Sequence, residues 1–155
     1  AQSAGAPVIA DISKLEVGAR VIQQWRGQPV WIVRRTPEVV QTLSSLDQQL
    51  RDPGSENLDQ QPEYARNATR SRRPDVAVIV GICTHLGCSP TFFPEMLPQP
   101  FDSEWKGGFY CPCHNSRFDL AARVFKGAPA PTNLEIPPHK YLSDARIVVG
   151  EDQKG

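Results

Sequence analysis

Cys83-Thr84-His85-Leu86-Gly87-Cys88 and Cys111-Pro112-Cys113-His114 hold all four cysteines and two of the three histidines of this 155-residue chain. Each stretch offers a close thiolate and imidazole pair, Cys83-x-His85 and Cys111-x-x-His114, with one further cysteine, Cys88 or Cys113, beside it. Two cysteines and two histidines suit tetrahedral zinc, or a two-iron cluster in which histidines replace cysteines on one iron. Zinc fingers usually open C-x(2–4)-C, not C-x-H. A disulfide between the spare cysteines would clamp two loops over a shared centre, which a closed zinc site rarely needs. Iron cluster, zinc and disulfides alone all remain open at this level.

Outward from these loops, Val76 to Ile82 is a continuous apolar run entering the first loop, the pattern of a strand buried on both faces. Arg20 to Trp25 and Val30 to Arg34 flank Arg26-Gly27-Gln28-Pro29 as a hairpin. Thr36-Pro37 supplies an N-cap and a first-turn proline for a helix bearing Val39, Val40, Leu43, Leu46 and Leu50 on one face, stopped by Asp52-Pro53-Gly54. Ser55 to Pro74 is polar and aperiodic and reads as an insertion loop, partly ordered at best. Further strands are expected at Phe109-Tyr110, Arg117 to Asp119, Arg123 to Phe125, Asn133 to Ile136 and Arg146 to Val149. Short strands with Gly and Pro turns predict a mainly antiparallel β domain with one helix. His139 reads as a surface residue, and Trp25, Trp31 and Trp105 as core aromatics.

Composition adds limits. The chain is one domain's worth of residues. Lys plus Arg and Asp plus Glu balance at 17 each, so nothing global points to nucleic acid or an anionic membrane. No apolar run approaches the roughly 18 residues of a membrane span, so the chain reads as soluble as given.

C-T-H-L-G-C at 83–88, followed by C-P-C-H-N-S-R-F-D at 111–119, resembles the Rieske iron–sulfur family. The likeness extends to Lys126-Gly127-Ala128-Pro129-Ala130-Pro131, similar to the family's proline loop, and to Trp31 to Pro37 upstream. The paired extra cysteines resemble the respiratory type found in the cytochrome bc1 complex, whereas Rieske ferredoxins and dioxygenase domains typically lack them, and the upstream segment resembles proteobacterial respiratory members. The resemblance implies one [2Fe-2S] cluster, with Cys83 and Cys111 on the inner iron, His85 and His114 on the outer one, and a Cys88–Cys113 bridge. It also implies an antiparallel β-sandwich Rieske fold with an inserted cluster-binding subdomain and one helix-loop insertion. The base would be 9–78 and 133–150, the subdomain 79–132, with residues 1–8 the end of a flexible neck and 151–155 a tail.

Function follows as an expectation from the same resemblance. The chain would be the electron-transfer subunit of a quinol:cytochrome c reductase, beside a cytochrome b subunit with its quinol-oxidation site and a c-type cytochrome subunit. Ubiquinol is the expected donor. The family's amino-terminal transmembrane helix would precede this chain and hold it at the periplasmic face of a bacterial inner membrane. An oxidising compartment agrees with a disulfide. A Rieske subunit of another oxidase, such as an arsenite oxidase, and a disulfide-stapled Cys2His2 zinc protein are the rivals.

The chemistry suits those residues. Two ferric ions, two sulfides and two thiolates sum to zero, whereas four thiolates leave about two negative charges, so the histidine-ligated centre accepts an electron more readily. The established range for centres of this class reaches about +300 mV, against about −400 mV for plant-type ferredoxins. His114, with His85, is expected to couple proton to electron, His114 Nε2 meeting the quinol hydroxyl. Ser116 is the candidate donor to cluster sulfur, and Leu86, Gly127, Pro129 and Pro131 would dock on the partner or shield the cluster. The family often has tyrosine where Phe118 stands, and Phe lacks that donor, so Phe118→Tyr should raise the potential in voltammetry. Asn115 and Ala122 stand where the family usually has glycine, which puts the loop geometry at both positions in question.

Overall fold

The computed structural model describes residues 5–153. Most of the expected neck and tail can be followed, but residues 1–4 and 154–155 lie outside the described part. Among the described residues, nine strands form three antiparallel sheets of three, in the orders β1-β9-β8, β2-β3-β4 and β5-β6-β7. The strands are β1 Val8–Asp11, β2 Arg20–Trp25, β3 Gln28–Arg34, β4 Val76–Val80, β5 Thr91–Phe93, β6 Gly108–Cys111, β7 Ser116–Asp119, β8 His139–Ser143 and β9 Arg146–Val149.

The β2-β3-β4 sheet lies in the middle, and strand alternation shows why. Val30, Ile32, Val76, Val78 and Val80 pack against Ala10, Ile147 and Val149 of the β1-β9-β8 sheet. Trp31, Val33, Ala77 and Ile79 point the other way, into a core shared with Phe109, Phe118, Cys83 and Cys111. A strand covered on both faces can be apolar throughout, and all five residues of β4 are buried. The expected hairpin and the three core tryptophans are found as the sequence predicts.

Four expectations are corrected. The helix α1 runs only Pro37–Thr42 before Leu43–Gln49 tighten into a 3-10 turn. Thr36 caps it, accepting from Val39 N–H at 3.1 Å. Thr42 Oγ1 then donates to Val39 carbonyl and Ser45 Oγ to Thr42 carbonyl, local bonds that compete with the α ladder. Leu43 and Leu46, three apart, are both buried on this tighter turn.

Residues 55–74 are no loose insertion: Ser55, Ala65, Arg70 and Ser71 are buried. Arg70 donates to the carbonyls of Gln60, Ala121, Ala122 and Leu134 and to Gln61 Oε1, all at 2.9–3.2 Å. Arg35 reaches Thr69, Pro74 and Leu120 carbonyls and Ser71 Oγ in the same way. The segment is held by guanidinium–carbonyl bonds, which leave no hydrophobic period in the sequence.

Arg123–Phe125 and Asn133–Ile136 are not strands. Their backbone groups pair singly with separate segments: Val80 N–H with Glu135 carbonyl, Ile136 with Gln60, and Leu134 with Ala122.

His139 is in β8 and buried, not on the surface. Its Nδ1 sits 2.8 Å from Pro137 carbonyl, its N–H donates to Tyr64 Oη, and its carbonyl accepts from Arg72 Nε. Burial pushes its pKa down to about 4. The strands β1, β5 and β8 had no apolar run long enough to mark them.

Candidate metal centre

Two turns build the site. Val80 ends β4, and the chain closes a loop in which Cys83 N–H donates to Cys88 carbonyl at 2.6 Å and Gly87 N–H to Cys83 carbonyl at 3.1 Å. The second turn joins β6 to β7, closed by Asn115 N–H on Cys111 carbonyl at 2.9 Å. A Cys88–Cys113 disulfide links the two turns across 25 residues. Cys83 and Cys111 are free and buried.

The four candidate ligands form two close pairs. The Cys83 and Cys111 side chains are hydrogen-bond neighbours, and the His85 and His114 rings lie 4.7 Å apart, nearly perpendicular at 88°. Burial pushes the Cys111 thiol up; the backbone N–H groups of Cys113 and His114 act against that, while the neighbouring Cys83 sulfur adds to it. Such a thiol is deprotonated when a metal cation arrives. The sulfurs of Cys88, Cys111 and Cys113 also lie within 4.8 Å of one another, but two of the three are consumed in the disulfide.

His85 Nδ1 tests the fit. It is buried with no hydrogen-bond partner. An orphaned ring nitrogen is costly, and a metal ion bound there satisfies it. Two buried thiols and two imidazoles, one nitrogen unpaired, match the mixed donor set of a two-iron centre with histidines on one iron.

Leu86 is 64% exposed at the tip, with Pro112, Cys113 and His114 also exposed. Ser116 is buried, and its Oγ accepts from Ala130 N–H at 3.0 Å, leaving its own proton for another acceptor. That bond ties the Gly127–Pro131 loop to the second turn. Arg51 Nη2 on Ala128 carbonyl and Thr84 Oγ1 on Thr132 carbonyl anchor the same loop from two further sides. Gly127, Pro129 and Pro131 face outward. Phe118 is fully buried on β7 opposite Phe109.

Both departures from glycine sit in left-handed backbone, Asn115 at φ 64° and Ala122 at φ 62°. Asn tolerates that region, and the Tyr110 hydroxyl donates to Asn115 Oδ1. Ala122 is held there by Arg70 on its carbonyl and its N–H on Asp119 carbonyl. Sequence reading missed the tethers Arg51, Thr84 and Tyr110, which carry no motif. Only the two missing glycines signalled an unusual backbone.

The fold and the paired loops define a Rieske-type iron–sulfur domain: the chain matches the Rieske [2Fe-2S] domain over residues 8–138 and belongs to that family. It is 62% identical over 153 residues to the ubiquinol-cytochrome c reductase iron-sulfur subunit of Allochromatium vinosum, covering 99% of this chain and 73% of that protein. The mitochondrial Rieske subunit of the cytochrome b-c1 complex of Solanum tuberosum is 40% identical over 141 residues, 90% of this chain and 45% of that one. This chain therefore spans less than half of the plant protein. A solved hyperthermophilic respiratory Complex III shares the fold, with a TM-score of 0.53 at 24% identity over 90% of this chain and 71% of that one.

Proposed function

We propose that this chain is the electron-carrying iron–sulfur subunit of a ubiquinol:cytochrome c reductase, with Cys83 and Cys111 on the inner iron and His85 and His114 on the outer. The partnerless, buried His85 Nδ1 beside two free thiols carries this reading. When bound, the cluster supplies one-electron acceptance at high potential. The chain's own residues do the rest. His114, exposed at the tip, holds the quinol hydroxyl at Nε2 and takes its proton, with His85 as the second proton-coupled imidazole. Leu86 and the flanking turn dock on a cytochrome b subunit. Ser116 directs its hydroxyl to cluster sulfur, and Gly127 to Pro131 shield the centre from water.

The electron then passes to a c-type cytochrome subunit. The working place is the periplasmic face of a bacterial inner membrane. Among the described residues no helix is long and apolar enough to cross a membrane. The test is visible absorption and EPR of the reduced, fully metallated protein, with the potential followed from about pH 6 to pH 10. A Rieske EPR signature and a potential falling with pH are expected. Colourless protein holding zinc, or a potential flat across that range, overturns the reading.

A further inference from the structure

Arg20 opens β2 and carries a charge that nothing neutralises. Among the described residues it has no carboxylate partner and no side-chain hydrogen bond, and its Nη1 is buried with no acceptor. Its guanidinium carbon lies 5.0 Å from the centroid of Trp31 and 5.0 Å from that of Phe92. Burial alone lowers its pKa, with no anion acting against it. A cation–π pair holds a guanidinium in place without cancelling its charge.

The two rings lead to the metal centre. Trp31 stacks on Phe109 with centroids 4.6 Å apart, and Phe92 on Phe109 at 5.5 Å. Phe109 and Cys111 are two apart on β6 and so face the same side of the sheet. Trp31 also lies hard against Gly81, where an added Cβ would sit 2.2 Å from its ring. Gly81 is two residues before Cys83. Both thiol ligands thus share one apolar core with the rings under Arg20.

We propose that Arg20 is a tuning residue for the electron-transfer reaction, an uncompensated cation held behind Cys83 and Cys111 that raises the reduction potential of the bound cluster. The inference rests on the function proposed above. Reduction adds one negative charge to the centre, and a fixed positive charge across an apolar core stabilises that form. Arg20 is half-buried with Nη1 enclosed, so salt screens its charge only in part.

The experiment compares holoprotein of the wild type with Arg20→Met and Arg20→Lys by voltammetry at low salt and about 1 M salt. At a fixed applied potential, Arg20→Met should lower the ratio of reduced to oxidised protein about threefold to tenfold, tenfold being about 59 mV for one electron. Arg20→Lys should restore most of the ratio, and the difference should shrink but remain at high salt. A merely structural Arg20 would change stability and leave the ratio alone. If Arg20→Met keeps the EPR signal with an unchanged ratio, or Arg20→Lys behaves like Arg20→Met, the proposal fails. Arg20→Gln is measured if Arg20→Met does not hold the cluster; if neither holds it, Arg20 is structural and the proposal fails. A wild type without the Rieske signal overturns the function itself, a separate result.

Discussion

The ligand turns and the turn at Leu120–Ala122 are both sharp, both partly left-handed, and held by opposite means. At the ligand turns Leu86, Pro112, His114 and Asn115 are exposed, and ordering comes from a disulfide and short backbone bonds. At Leu120–Ala122 the backbone is buried, and its carbonyls are met by two buried arginines from other segments: Arg35 on Leu120, Arg70 on Ala121 and Ala122. A third, Arg123, pairs with buried Asp119, their atoms 2.8 Å apart. The lesson is that exposed turns need cross-links, whereas buried turns need donors, since an unpaired buried carbonyl is costly.

Removing a donor should therefore be worse than removing a cross-link. Arg70→Met leaves the carbonyls of Ala121 and Leu134 without their donor, weakens the pairing of Gln60 and Ala122, and should cost about 3–5 kcal/mol in urea unfolding of the cluster-free protein. A loss under about 1 kcal/mol would break the contrast. Replacing Cys88 and Cys113 together by serine releases a loop of 25-residue separation, and chain entropy sets that near 3.5 kcal/mol without the cluster. With the cluster bound the loss should shrink, because the ligands tie the same two turns. Equal losses with and without the cluster would deny that the turns share a centre.

Away from the ligand turns, buried His139 gives the fold a pH dependence. His139 has a folded pKa of about 4, below the ordinary value near 6.5, so the unfolded chain binds the extra proton between them. Stability is at its full value above about pH 6.5 and falls as pH drops toward 4, by at most about 3 kcal/mol. His139→Gln should flatten that part of the stability curve; an unchanged slope would acquit His139. The smallest effect is expected at Ala122. Glycine would relieve its left-handed strain but lose a buried methyl and gain chain entropy, so Ala122→Gly should change stability by less than about 1 kcal/mol.

The comparison also marks where the sequence could be read. Cys83, His85, Cys111 and His114 were legible as candidates because cysteine and histidine are rare residue types and stand here at fixed short spacings, and β4 was legible because burial on both faces demands an unbroken apolar run. The helix after Thr36 was read correctly at its cap and too far at its end. Hydroxyl bonds from Thr42 and Ser45 are too local and too common to register as a stop signal. Residues 55–74 were misread as loose because arginines, serines and asparagines look like solvated loop until their carbonyl partners are known.

By itself, then, the sequence determined the paired Cys/His spacings, the spare cysteine pair, the apolar strands and the two positions where glycine was missing. All of these depend on residue type and local spacing. Only the tertiary structure decided that Arg35 and Arg70 are buried staples, that His139 is enclosed, and that Arg20 stands unpaired behind the site. A charged side chain reads the same in sequence whether water or an aromatic ring surrounds it. What decides its energy is the set of distant segments that fold around it.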